Sequence, residues 1–145
     1  FNTPLQFPIY LWSRLQRVTA RYSVTKGFDG YYRDLYRDDN PVFAPIKAKM
    51  IAFIKKLRAE GKQVVVISIP DCMHLDEKPY RYQYVTDKVF ALAREAGAET
   101  LDLLPSVQGI KAVDIMNTPE DRHPNAEGHR RMGLALHEKL KGMNL

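Results

Sequence analysis

The run Val64-Val65-Val66-Ile67-Ser68-Ile69 constrains this chain more than any other feature. It is short, β-branched and apolar on both alternations, which is how a strand buried on both faces reads. Such strands belong to parallel sheets whose faces are covered by helices. Before it, Ile46, Met50, Phe53, Ile54 and Leu57 recur at helical spacing, and the pattern stops at Gly61. After it, Val85, Val89, Leu92, Ala93 and Ala96 draw a second amphipathic helix that stops at Gly97. Thr100-Leu101-Asp102-Leu103-Leu104 reads as a second short strand closed by Pro105. A last helix is expected from Ala126 to Lys141 with Asn125 as its N-cap, and another from Ile9 to Tyr22 behind Pro8. Gly27 to Asn40 reads as a loop with one helical turn in Tyr31 to Tyr36, its tyrosines packing on the domain rather than lining a pocket.

Alternating helix and strand is the pattern of right-handed crossover units, so the fold class is α/β with a mainly parallel sheet. Two strands cannot cover the apolar faces of four helices. Either a further strand is hidden in the sequence or the sheet is incomplete within this chain.

Composition narrows the function classes. With 145 residues, 45% hydrophobic and 27% charged, the chain suits one folded domain over 1–145. The longest apolar runs, Met50 to Ile54 and Val64 to Ile67, are far too short to span a bilayer. The single cysteine, Cys72, permits no internal disulfide and no zinc framework. The net charge of +5 invites a polyanion partner. However, Lys55, Lys56, Arg58 and Lys62 are interleaved with Glu60, and Arg130, Arg131, Lys139 and Lys141 with Glu127 and Glu138. Interspersed signs predict solvated helix surfaces and no nucleic-acid partner. Phe1-Asn2-Thr3-Pro4 resembles neither a native start nor a signal peptide, so the expected reading is the later part of a longer protein, with compartment left open.

The segment Pro119-Glu120-Asp121-Arg122-His123-Pro124-Asn125-Ala126-Glu127-Gly128-His129 carries the chemistry. In open α/β sheets, functional groups gather in loops beyond the carboxyl ends of the strands, and this segment precedes a helix in such a position. A histidine acts as general base when one ring nitrogen faces the proton to be removed and the other donates to a carboxylate. Asp121 and Glu120 both offer that carboxylate to His123, and Pro124 restricts the backbone of His123 to extended forms. The alternative is a surface histidine beside an acidic pair.

Asp-Arg-His-Pro-Asn-Ala-Glu-Gly-His, Asp121 to His129, resembles the C-terminal block of the SGNH (GDSL-like) hydrolases, serine esterases and lipases. Leu11-Trp12-Ser13-Arg14-Leu15, the strand ending in Ile69-Pro70, and Leu101-Asp102-Leu103-Leu104-Pro105 look like the second half of bacterial members. The resemblance implies a flavodoxin-like three-layer α/β/α sandwich, His123 as general base and Asp121 as its orienting carboxylate. It also implies a small ester substrate and neither metal nor organic cofactor. Members with Asp-x-x-His spacing would select Glu120; the Asp-x-His spacing here prefers Asp121. The family's nucleophilic serine and oxyanion donors lie in blocks that would precede this chain. Ser13, Ser23, Ser68 and Ser106 lie in no such motif, and Asn2 lacks the Gly-x-Asn-Asp context. The implied activity is that of an ester hydrolase to which this chain supplies His and Asp. The alternative is a noncatalytic α/β binding module that has lost the nucleophile.

Of the remaining residues, His129 shares a stripe with Gly133, Leu136 and Leu140 and is expected to face the sheet, while His137 is expected in solvent. His74, Asp71, Asp76 and Cys72 fit no zinc signature and read as a flexible loop. Nothing near Cys72 in sequence lowers its pKa toward that of a nucleophile.

Overall fold

A computed structural model of the chain describes Trp12, residues 29–119 and residues 121–143. Apart from Trp12, the helix expected over Ile9 to Tyr22 lies outside the described residues, as do Asn2, Ser13, Ser23 and Glu120. The chain divides into two compact units, Phe1–Pro45 and Ile46–Leu145.

In the first unit, residues 29–35 form a helix (α1), longer than the single turn expected, supported by an Arg33–Asp29 pair at 3.2 Å one turn apart. The aromatic rings stack in a chain, Tyr31 on Tyr32, Tyr32 near Tyr36, and Tyr36 on Phe43 at 5.1 Å between centroids. The Asn40 side-chain oxygen accepts from the amides of Val42 and Phe43, covering free donors at the start of the next helix.

That helix, α2 (Phe43–Ala59), leads into β1 (Val65–Ser68), then α3 (Gln83–Glu95), β2 (Glu99–Asp102), α4 (Ala112–Ile115) and α5 (Ala126–Gly142). Short 3-10 turns follow each strand, at Cys72–His74 and Leu104–Ser106. β1 and β2 pair in parallel with Val65 opposite Glu99 and Ser68 opposite Asp102, which makes the protein mixed α/β as the alternation of elements requires. Both helix stops fall where expected. Gly61 and Gly97 take left-handed φ values of 75° and 91°, and the chain beyond each bonds back to the helix, as in Ala98 N–H to the Ala93 carbonyl at 2.9 Å.

β1 departs from expectation in its burial. Val64 and Val66 pack on Ile54, Ala93, Ala96 and Ala98, but Ile67 is 38% and Ile69 63% exposed. Successive side chains of a strand face opposite ways, and among the described residues only β2 pairs with β1. The face carrying Ile67 and Ile69 is left open by the described residues, since no described helix covers it. α2 shows the same one-sidedness, with Ile54 buried while Ile46 and Phe53 of the predicted stripe are exposed.

The larger core lies beyond the carboxyl ends of both strands, where Cys72, Leu75, Tyr80, Leu103, Leu104, Val107, Ile115, Met116 and Met132 pack together. Leu75, Val107 and Ile115 are fully buried, and each such side chain stabilises the fold by roughly 1.5–3 kcal/mol. This cluster is the platform on which the loop of the candidate site rests.

α5 sits rotated from expectation. Gly128 and Met132 are buried and Ala135 packs against the core, while His129 and Gly133 are exposed. A shift of one residue turns a helix by about 100°. Gly128 sets the rotation, because a β-carbon there would stand 2.9 Å from Pro124 Cβ and 3.0 Å from Ile115 Cγ2. His137 is exposed, as its position in the sequence predicts.

Candidate active site

The segment between α4 and α5 folds back on itself. Met116 and Pro124 form an antiparallel bridge, the Asn117 amide donates to the His123 carbonyl at 3.1 Å, and the Thr118 amide to the Asp121 carbonyl at 3.2 Å. Asn125 closes the loop with both ends of its side chain. Its oxygen accepts from the amides of Glu127 and Gly128, capping α5, and its Nδ2 donates to the carbonyls of Asp114 and Met116. The predicted cap is thus also the tie that fixes the loop to α4.

Asp121 and His123 meet inside this loop. Asp121 Oδ1 lies 2.5 Å from His123 Nδ1 and accepts the His123 amide at 3.1 Å. Its Oδ2 accepts Asn117 Nδ2 at 3.2 Å, and its own amide donates to Thr118 Oγ1 at 3.0 Å. The hydrogen bond from the His123 ring, then the His123 amide and Asn117, hold the Asp121 carboxyl below its ordinary range. An ionised carboxylate only accepts, so in this contact Nδ1 carries the proton, and in the neutral ring Nε2 is then the acceptor. The imidazole is 86% exposed and the Asp121 side chain 46%. A substrate or a second protein group can reach Nε2. Asn117 and Thr118 were not singled out from sequence; the one available signal was a pair of turn-forming polar residues a few positions before Asp121.

The loops beyond the strands carry their own hydrogen bonds and ion pairs. After β1, Asp71 Oδ1 accepts the Met73 amide at 2.8 Å, and Tyr80 Oη takes the Asp71 amide at 2.7 Å. The stretch around His74 takes the form of a 3-10 turn, Cys72–His74. His74 Nδ1 lies 3.1 Å from Glu77 Oε1, and Glu77 also takes Arg81 Nε at 3.0 Å. The Arg81 hydrogen bond is the main cause that holds the Glu77 carboxyl below its ordinary range, with His74 adding to it. Among the described residues no group of three His, Cys, Asp or Glu could hold a metal ion.

Cys72 is fully buried, and burial, helped by the charge of Asp71, pushes its thiol up to about 11. A thiol so held is no nucleophile near neutral pH. Ser68 Oγ shares a hydrogen bond with Thr86 Oγ1 at 2.9 Å, and Ser106 Oγ donates to the Leu103 carbonyl at 2.6 Å. Both described serines are engaged in packing the strands and turns.

The basic residues are interleaved with acids, as expected. Glu127 binds both Arg130 and Arg131 at 2.7 Å, and Lys139 binds Glu99 at 2.8 Å. No helix among the described residues is long and apolar enough to cross a membrane. Comparison with protein-family models, with curated proteins and with solved structures finds no match to this chain.

Proposed function

We propose that this chain supplies the histidine and the carboxylate of a serine-dependent ester hydrolase of the esterase, lipase or acetylesterase type. The observation that carries the reading is the Asp121–His123 contact, which consumes Nδ1 and leaves an exposed Nε2 able to accept a proton. In the full-length protein a serine hydroxyl from outside these 145 residues attacks the carbonyl carbon of a small ester. As the oxygen–carbon bond forms, His123 Nε2 takes the serine proton, and Asp121 stabilises the imidazolium. The proton then passes to the departing alcohol, leaving an acyl-serine. Water, deprotonated by the same nitrogen, releases the acid and returns the serine.

The finer architecture belongs to the same proposal. Parallel β1 and β2 form part of a three-layer α/β/α sandwich, and a further strand from the segment bearing the serine pairs along the free edge of β1. The exposure of Ile67 and Ile69 supports the covering layer of that sandwich, since apolar faces of parallel sheets are normally covered by helices.

A fluorophosphonate probe, which forms a bond only with an activated serine, tests the assignment. The full-length protein should be labelled on one serine, and His123→Ala should abolish the labelling. The 145-residue chain alone should remain unlabelled. Labelling of the full-length protein that survives His123→Ala would refute the pair's role, and a full-length protein that is never labelled would favour the noncatalytic binding module.

A further inference from the structure

We propose that Arg122 is a positioning residue, holding the Asp121–His123 pair in register with the loop after β1 through an ion pair with Asp71. The inference deepens the hydrolase reading above and rests on it for the purpose of the positioning. The pairing itself does not depend on catalysis.

Arg122 lies between the two residues of the pair. The Asp121 side chain and the His123 amide and ring close a turn on one another, and the Arg122 side chain reaches away to Asp71, Nη1 to Oδ2 at 3.6 Å. Both partners are sheltered, at 28% and 27% exposure, unlike the open His123 ring. Asp71 is a firm anchor. Its other carboxylate oxygen caps the Met73 amide, while Tyr80 Oη accepts from its amide and donates to its carbonyl at 3.3 Å. Tyr80 is itself 6% exposed and part of the main core.

The other ties of the loop run to its own residues and to α4, elements adjacent in sequence. The Arg122–Asp71 contact joins it to the loop at the carboxyl end of β1, some fifty residues earlier in the chain. Groups delivered from other strands of a parallel sheet arrive at that same end. A charged tether between the two loops thus fixes the direction in which Nε2 faces relative to the sheet. At 3.6 Å and partial exposure the pair contributes little to global stability. Its effect falls on orientation.

The test reads the His123 ring directly, in the 15N-labelled 145-residue chain at a pH where the ring is neutral. Bound to Asp121, Nδ1 should resonate as a protonated, pyrrole-type nitrogen and Nε2 as a pyridine-type one. Arg122→Gln and Asp71→Asn should each move the two nitrogens toward the averaged values of a free imidazole, with backbone amide shifts outside the two loops unchanged. Arg122→Lys, which keeps the charge that faces Asp71, should hold the original shifts. Unchanged ring nitrogens in both single variants would overturn the proposal, as would Arg122→Lys shifts equal to those of Arg122→Gln while the fold is intact. Asp71→Asn keeps the oxygen that accepts the Met73 amide; should it still unfold the chain, Arg122→Gln and Arg122→Lys, which leave Asp71 in place, decide the matter. In the full-length protein Arg122→Gln should lower kcat several-fold with KM nearly constant. A protein without esterase activity would sink the hydrolase reading and leave the ring measurement to judge the tether.

Discussion

Gly128 and Pro124 approach so closely that a β-carbon on Gly128 would lie 2.9 Å from Pro124 Cβ. The first turn of α5 is thereby pressed against the residue that follows His123, and α5 is keyed to the Asp121–His123 loop by the absence of a side chain. Ile115 closes the other side of the gap, fully buried, with its Cγ2 at 3.0 Å and its carbonyl at 3.1 Å from the same point.

Gly128→Ala sets two effects against each other. Alanine favours a helix over glycine by about 1 kcal/mol, while overpacking a tight contact costs about 1–3 kcal/mol. Neither Ile115 nor Pro124 has space to retreat, so overpacking should win. We expect a lower denaturant midpoint, by about 1 kcal/mol of stability, and altered His123 ring signals. A stabilised variant with unchanged ring signals would show that the contact is loose.

Asn125 separates capping from tethering. Aspartate is as good an N-cap as asparagine, yet Asn125→Asp replaces the Nδ2 donor facing the Asp114 and Met116 carbonyls with an oxygen. Two lost hydrogen bonds at about 1 kcal/mol each predict a loss of roughly 2 kcal/mol. Chemical denaturation should place Asn125→Asp below the unmodified chain by that amount, and Asn125→Ala about 1 kcal/mol lower again for the lost cap. Stability equal to the unmodified chain would mean that only the cap matters.

Glu127 should titrate far from the ordinary glutamate range. Hydrogen bonds from Arg130 and then Arg131 hold its carboxyl down to about 2. A folded-state pKa below the unfolded one stabilises the fold above the unfolded value near 4.3, and that contribution is lost as pH falls toward about 2. Carboxyl 13C titration should give a midpoint near 2, moving up toward 4 when both arginines become glutamine. Since the group is exposed, added salt should weaken the shift. A midpoint near 4 in the unmodified chain would contradict the paired geometry.

The elements that were legible in sequence are those set by local periodicity and local chemistry. The glycine stops at Gly61 and Gly97, the extended runs of β1 and β2, the Asn125 cap and the proximity of Asp121 to His123 all depend on residues close in the chain. The features that were not legible depend on distant ones. His129 belongs to a plausible apolar stripe, but the contact of Gly128 with Ile115 and Pro124 decides which side of α5 is buried. Ile67 reads as core by composition, and its exposure depends on what packs over its face of the sheet, which no local pattern shows. The Arg122–Asp71 bridge spans two loops whose meeting depends on the register of β1 and β2, and no local pattern signals it.

The central claim is that His123 moves a proton for a serine, and the most direct measurement is the turnover of p-nitrophenyl acetate by the full-length protein with and without His123→Ala. General base catalysis is worth about 100- to 10,000-fold, so kcat should fall by at least about 100-fold with KM little changed, as for an interaction made in the transition state. Asp121→Asn should be severe and Glu120→Gln mild. Near-normal kcat in His123→Ala would contradict the account.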